Sequence, residues 1–149
     1  MTRPYYEDAK AGITIYHGDA REVLPGLTVD LVVTDPPYGI DKAEWDTRFP
    51  IETLELASFH STAMAVMPGV WNLGVMPERL GAQTYNWTLS AYLSNGMTRG
   101  KVGFGNWIPI VLYSAPGVSL YSTAKRGTAR YSLSVQKTSP TTPRLSPIV

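Results

Sequence analysis

Asp30-Leu31-Val32-Val33-Thr34-Asp35-Pro36-Pro37-Tyr38-Gly39 decides how this chain is read. Leu31 to Thr34 is apolar and β-branched on both faces, which predicts a parallel strand covered on both sides. A stiff turn follows. Pro36 and Pro37 fix φ near the polyproline value and donate no backbone hydrogen bond. Pro36 also biases Asp35 away from helical geometry. A carboxylate, free prolyl carbonyls and an aromatic face therefore meet within four residues. They meet at the C-terminal end of a strand, where open α/β sheets place their ligands. Those four residues alone also fit a structural Pro-Pro turn with a solvated acid, so the flanks must arbitrate.

On the N-terminal side, Ile13 to Tyr16 alternates as a short strand and ends at His17-Gly18-Asp19-Ala20. Arg21 to Leu24 reads as a helical turn stopped by Pro25-Gly26. With the strand at 30–34 this predicts a βαβ start holding a parallel pair. On the C-terminal side, Ile40 to Phe49 is polar loop around Trp45-Asp46. Pro50 opens a helix whose apolar stripe runs from Ile51 through Leu54, Leu56, Phe59 and Ala63 to Val66, stopped by Pro68-Gly69. His17 and His60 have no ligand partners in sequence and read as packing residues.

Further strands are expected at 70–76, 85–93 and 108–113, with a helical turn at 77–80 and a short strand at 131–135. Pro109 places an edge or a bulge in the 108–113 strand. The glycine-rich stretch Thr98 to Trp107 is no dinucleotide loop, because it precedes a strand instead of following one into a helix.

With 149 residues, 44% of them hydrophobic, the chain suits one domain with a real core. It has no cysteine, hence no disulfide framework and no thiolate metal site. No apolar run reaches membrane-span length and no signal peptide opens it, which points to a cytoplasmic protein. The net charge of +1 hides an asymmetry. Residues 1–78 carry twelve acids against five Lys or Arg, a balance of −7; residues 79–149 carry no acid and eight Lys or Arg, a balance of +8. A half that is basic throughout favours a polyanionic partner; equally, the two halves can attract each other. From Ala115 onward the core signal fades, and 116–149 reads as a basic Ser/Thr/Pro-rich tail of loop or disorder.

The Asp35-Pro36-Pro37-Tyr38 loop in this setting resembles the S-adenosylmethionine-dependent DNA amino-methyltransferases, which act on adenine N6 or cytosine N4, in the order that places the catalytic motif first. The resemblance implies an α/β, Rossmann-like methyltransferase sheet, incomplete here, with its catalytic loop at the end of a central parallel strand. It implies S-adenosylmethionine as cofactor and double-stranded DNA as partner. Asp35 and the Pro36 carbonyl, with Pro37 stiffening the loop, would hold the target amine, and Tyr38 would stack the everted base. Asp35 would also border the cofactor. Asp19, with Ala20, would meet the cofactor adenine; Asp19 fits a helix cap equally well. Arg99 and Lys101 would touch DNA phosphates, or else be solvated. The family's Gly-Phe-Gly-Asn-Trp segment, matched at 103–107, leads into the strand beside the catalytic one. The family also carries an Asp-Pro-Phe-x-Gly-x-Gly cofactor loop, which this sequence lacks. The expectation is therefore a catalytic half-domain over residues 1–115, cut short and of phage or prophage type. Its pocket would be completed by a missing C-terminal segment or a second polypeptide, or it would be a non-catalytic remnant that binds DNA or a partner.

Overall fold

The computed structural model describes residues 3–96, 98–99, 103–122 and 133–137. Its centre is a curled, five-stranded mixed sheet. Taken across the sheet, the strands are β3 (Val29–Thr34), β4 (Ser61–Val66), β9 (Trp107–Ser114), β6 (Gln83–Tyr92) and β5 (Arg79–Leu80). Only β3 and β4 are parallel, with Leu31 opposite Ala63 and Thr34 opposite Val66. The other three ladders are antiparallel.

The N-terminal βαβ expectation is corrected. β1 (Tyr6–Asp8) and β2 (Ile13–Ile15) form their own antiparallel hairpin. The Asp8 carboxylate accepts from the amides of Lys10 and Ala11 at 2.9 and 3.0 Å, and Gly12 takes a left-handed φ of +67°. That local turn folds the segment back on itself before it can reach β3. The parallel pair is made instead by β3 and β4, joined through α2 (Ile51–Phe59).

Nor is β3 central or doubly covered. Among the described residues it is the sheet's edge, and Val33 is 64% exposed. The doubly buried strand is β4, where Ala63 to Val66 are all buried. That run was expected to continue the helix from Ile51. The helix stops at Phe59, whose ring is exposed, and Ser61 to Val66 pairs on both sides. A short apolar run satisfies helix and buried-strand templates alike, and here tertiary pairing decides.

Two smaller expectations invert. Residues 70–76 form α3 (Gly69–Asn72) and a 3-10 turn (Leu73–Val75) instead of a strand. Arg79-Leu80 is strand β5 instead of a helical turn, because Leu80 is drawn fully into the core. The strands expected at 85–93 and 108–113 are β6 and β9. Pro109 sits past the last β4 rung, Val66 on Val111, where β9 is paired only with β6. A missing N–H therefore breaks no ladder on that side. The only bulge in this pair lies at Tyr85/Trp87. β9 is not the neighbour of β3, since β4 lies between them.

β7 (Thr98–Arg99) pairs with β8 (Phe104–Gly105), and β10 (Val118–Ser122) pairs with β11 (Leu133–Lys137). The latter falls two residues beyond the strand expected at 131–135. α1 (Ala20–Val23) and a 3-10 turn at Leu24–Gly26 lead into β3. No helix among the described residues is long and apolar enough to cross a membrane.

The core gathers Leu54 and Ala57 of α2 against Met64, Val66, Val111, Tyr113 and Leu80. Met64 is completely buried. Met64→Ala is expected to lower stability by about 2–5 kcal/mol, read as a lower urea midpoint with an unchanged slope.

Candidate functional site

The site begins where β3 and β4 end together. Met67 N–H donates to the Thr34 carbonyl at 2.9 Å, extending the parallel ladder by one bond. The segments that leave it, 35–39 and 68–72, are thereby held side by side. Pro36 is buried, Pro37 and Tyr38 are half-buried, and Asp35 is exposed. The Tyr38 hydroxyl donates to Asp35 Oδ1 at 2.6 Å. Among the described residues, nothing donates to Asp35 Oδ2 or to the Pro36 carbonyl. Burial first, then the Asp35 hydrogen bond and the charges of Asp35 and Asp46, push the Tyr38 phenol up to about 12.

The second segment holds Tyr38 in place. Asn72 Nδ2 donates to the Tyr38 carbonyl at 2.9 Å and to the Pro68 carbonyl at 3.0 Å. Gly69 has a φ of +66°, and a Cβ there would lie 3.3 Å from two carbons of the Tyr38 ring. Glycine is thus required both for the turn and for the ring's seat.

A residue passed over in the sequence completes the loop. Asp46, in the middle of the 40–49 loop, is 2% exposed. Its carboxylate accepts from Gly39 N–H at 2.7 Å and from Lys42 N–H at 3.3 Å. Burial pushes its pKa up, but hydrogen bonds from the Gly39, Lys42, Tyr38 and Ile40 amides outweigh that and hold it below the ordinary range. Gly39 itself (φ +67°) lets the Arg48–Phe49 backbone cross where a Cβ would come within 2.8 Å of Phe49 N. A polar acid seven residues after a glycine carries no local signal of that burial.

Asp19 and Ala20 stand elsewhere, at the start of α1. Asp19 caps that helix turn through Arg21 N–H at 2.9 Å and pairs with the Arg21 guanidinium. The Arg21 side-chain and backbone hydrogen bonds lower its carboxyl to about 2. No hydrogen bond or ion pair among the described residues joins Asp19 or Ala20 to the 35–38 loop. A groove of about 520 Å³ lies on the α1 side, lined by Arg3, Tyr16, Glu22, Val23 and Leu27 among others. It excludes the Asp35 loop. We place the candidate chemistry at the loop, because the unpaired acceptors are there.

Arg99 lies in β7, and Lys101 falls outside the described residues. The sheet register places the end of β6 and the start of β9 at the same end as the Asp35 loop. Val111 is level with Val66, and Trp107, paired with Tyr92, lies beyond it.

The fold has a solved counterpart. The crystal structure of M1.HpyAVI in complex with SAM superposes with a TM-score of 0.57 at 16% identity, covering 78% of this chain. The match takes in 61% of the M1.HpyAVI chain, so this chain spans about three fifths of its length. No family model and no curated protein matches the sequence.

Two pH responses follow. A phenol raised from 10.0 to about 12 favours the protonated folded form, so its contribution is complete below pH 10 and lost as pH rises through 12. Tyr113, also raised to about 12, chiefly by burial, acts in the same window. Urea unfolding across pH 10–12 is expected to show a smaller loss in Tyr38→Phe than in the parent chain. Asp46 behaves oppositely: its contribution is present above its ordinary value of 3.8 and lost as pH falls below it. Asp46→Asn is expected to unfold more readily at neutral pH and to lose less on acidification.

Proposed function

We propose that this chain is the catalytic half of an S-adenosylmethionine-dependent DNA methyltransferase, acting on the exocyclic amine of adenine (N6) or cytosine (N4). The observation that carries the reading is the Asp35–Tyr38 loop. It is a rigid turn at the C-terminal end of a parallel strand, with an exposed carboxylate and a carbonyl that no described group occupies. An exocyclic amine is a poor nucleophile because its lone pair is delocalised into the ring. Asp35 Oδ2 and the Pro36 carbonyl accept its two N–H bonds, which favours a tetrahedral nitrogen and frees the lone pair. The Tyr38 ring, packed beside Gly69, would stack the everted base.

The residues suit the amine better than the cofactor. Bound S-adenosylmethionine would supply the electrophilic methyl group. Asp35 would border it, and Asp19 and Ala20 would hold its adenosine end. Asp19 stays ionised well below neutral pH, but must yield some of its hold on Arg21 to accept an amino group. Arg99 and Lys101 would meet backbone phosphates of duplex DNA.

A second reading has its own support. The chain spans three fifths of M1.HpyAVI, and β3 has no partner on its outer edge among the described residues. A segment or second polypeptide would then complete the sheet and cofactor pocket; failing that, the chain binds DNA or a partner without methylating. Calorimetry with S-adenosylmethionine separates these, since micromolar binding by the chain alone excludes the non-catalytic reading.

Transfer of labelled methyl to duplex DNA tests the main proposal. Asp35→Ala is expected to lower the rate by at least about a hundredfold. A rate that survives this substitution removes Asp35 from the chemistry.

A further inference from the structure

One peptide unit in the site is gripped at both of its polar atoms. The Tyr38 carbonyl accepts from Asn72 Nδ2 at 2.9 Å, and the N–H of the same peptide, that of Gly39, donates to Asp46 Oδ1 at 2.7 Å. A peptide is planar, so two fixed atoms fix its orientation. The two partners are anchored independently. Asn72 Nδ2 also donates to the Pro68 carbonyl at 3.0 Å, and Asp46 is buried. The Tyr38 ring leaves this peptide against Gly69, where a Cβ would come within 3.3 Å of it. A ring that serves only as a stacking face has no use for its hydroxyl. Here the hydroxyl donates to Asp35 Oδ1 at 2.6 Å, the length of a charge-assisted O–H···O⁻ bond.

We propose that the Tyr38 hydroxyl positions Asp35 for the target amine, and that Asn72 is the residue that holds the phenol to that task. The inference rests on the amine-methylating reading of the Asp35 loop and gives the phenol a duty distinct from stacking. The last torsion of an aspartate is broad and roughly two-fold, so a lone carboxylate on an exposed turn presents either oxygen. The Tyr38 bond occupies Oδ1 and removes that freedom. Oδ2 is then the oxygen left to accept, beside the Pro36 carbonyl. An acceptor fixed in advance need not be ordered as the amine arrives. The phenol is a lasting donor, because its pKa, raised to about 12 chiefly by burial, keeps the proton on the oxygen at neutral pH. Asn72 acts from the β4 side, through the Tyr38 carbonyl, and touches neither Asp35 nor the amine.

The test is binding of the full chain to fluorescein-labelled duplexes, followed by anisotropy. One duplex carries an unpaired adenine, and its twin carries purine, which is adenine without the amino group. A second pair carries cytosine and its amine-free pyrimidinone counterpart. The parent chain is expected to bind the amine-bearing member of one pair at least roughly tenfold more tightly, as an amine held by a charged acceptor implies. Tyr38→Phe keeps the ring and is expected to cut that ratio to about threefold or less. Asn72→Ala cuts it similarly and lowers it no further in the Tyr38→Phe background, as a residue acting through the hydroxyl must. Tyr85→Phe removes an exposed phenol on β6, whose oxygen lies 3.2 Å from Thr88 Oγ1, and leaves the ratio at the parent value. A merely loosened site weakens both members of a pair alike and does not move the ratio. An unchanged ratio in Tyr38→Phe or in Asn72→Ala overturns the inference, while methyl transfer by the parent chain leaves the proposed function standing. A ratio that rises in Tyr38→Phe also overturns it, because the hydroxyl would then obstruct the acceptor. A ratio lost in both variants of a chain that transfers no methyl supports the inference and removes the catalytic reading. A parent chain that shows no ratio, or binds no duplex, overturns the inference.

Discussion

The parallel pairing of β3 with β4 is the constraint on which the rest depends. Its register sets Leu31 on Ala63 and Thr34 on Val66, and both ends are pinned. At the start, Val29 N–H donates to the His60 carbonyl at 3.0 Å, and His60 Nδ1 lies 3.2 Å from the Leu27 carbonyl. At the finish, Met67 N–H reaches Thr34. A slip of one residue would turn Val32 out of the core, where it packs beside Met64, and would expose the opposite set of side chains. It would also part the two loops that make the site. The glycine seat under Tyr38 and the Asn72 amide on its carbonyl both belong to the β4 side. Tyr38 is therefore placed by a strand pairing formed several residues away.

The loop itself shows how a buried charge can organise backbone. Desolvating the Asp46 carboxylate is unfavourable, and the Gly39 and Lys42 N–H groups that donate to it offset that cost. Those amides could not be supplied by Pro36 or Pro37, which lack them. The chain divides the work: two prolines stiffen the approach by fixing φ, and the carboxylate gathers the amides that follow. The division leaves Asp35 free of the amide network and committed only to Tyr38.

The parts of the sequence that could be read correctly were those whose signal is local. The β-branched runs of β6 and β9 and the Pro-Pro turn all stand in the structure close to where their residues place them. The Asp19 cap is equally local and is present. What could not be read was decided across the chain. Ser61 to Val66 became a strand because β3 and β9 bracket it, and Arg79-Leu80 because Leu80 fills the core. The hairpin of β1 and β2 hung on one aspartate turn that a βαβ template overlooks. The burial of Asp46 was invisible because aspartates are mostly exposed.

The mixed topology also explains why the candidate chemistry collects at one end of the sheet. In an all-parallel sheet every strand would deliver its C-terminal loop there. Here β3, β4 and β6 run that way, and the loops after β3 and β4 are the two that Asn72 ties together. β9, running against β4, begins at that end: Trp107 stands four residues before Val111, about 13 Å further out at strand rise. β6, antiparallel to β9, finishes there at Tyr92. The end of β6 and the start of β9 thus reach the same rim as the acidic turn. The acidic half of the chain supplies the acceptors, Asp35 and Asp46. The reversal of β9 in the sheet brings its first residue, Trp107, from the other half of the chain to that end.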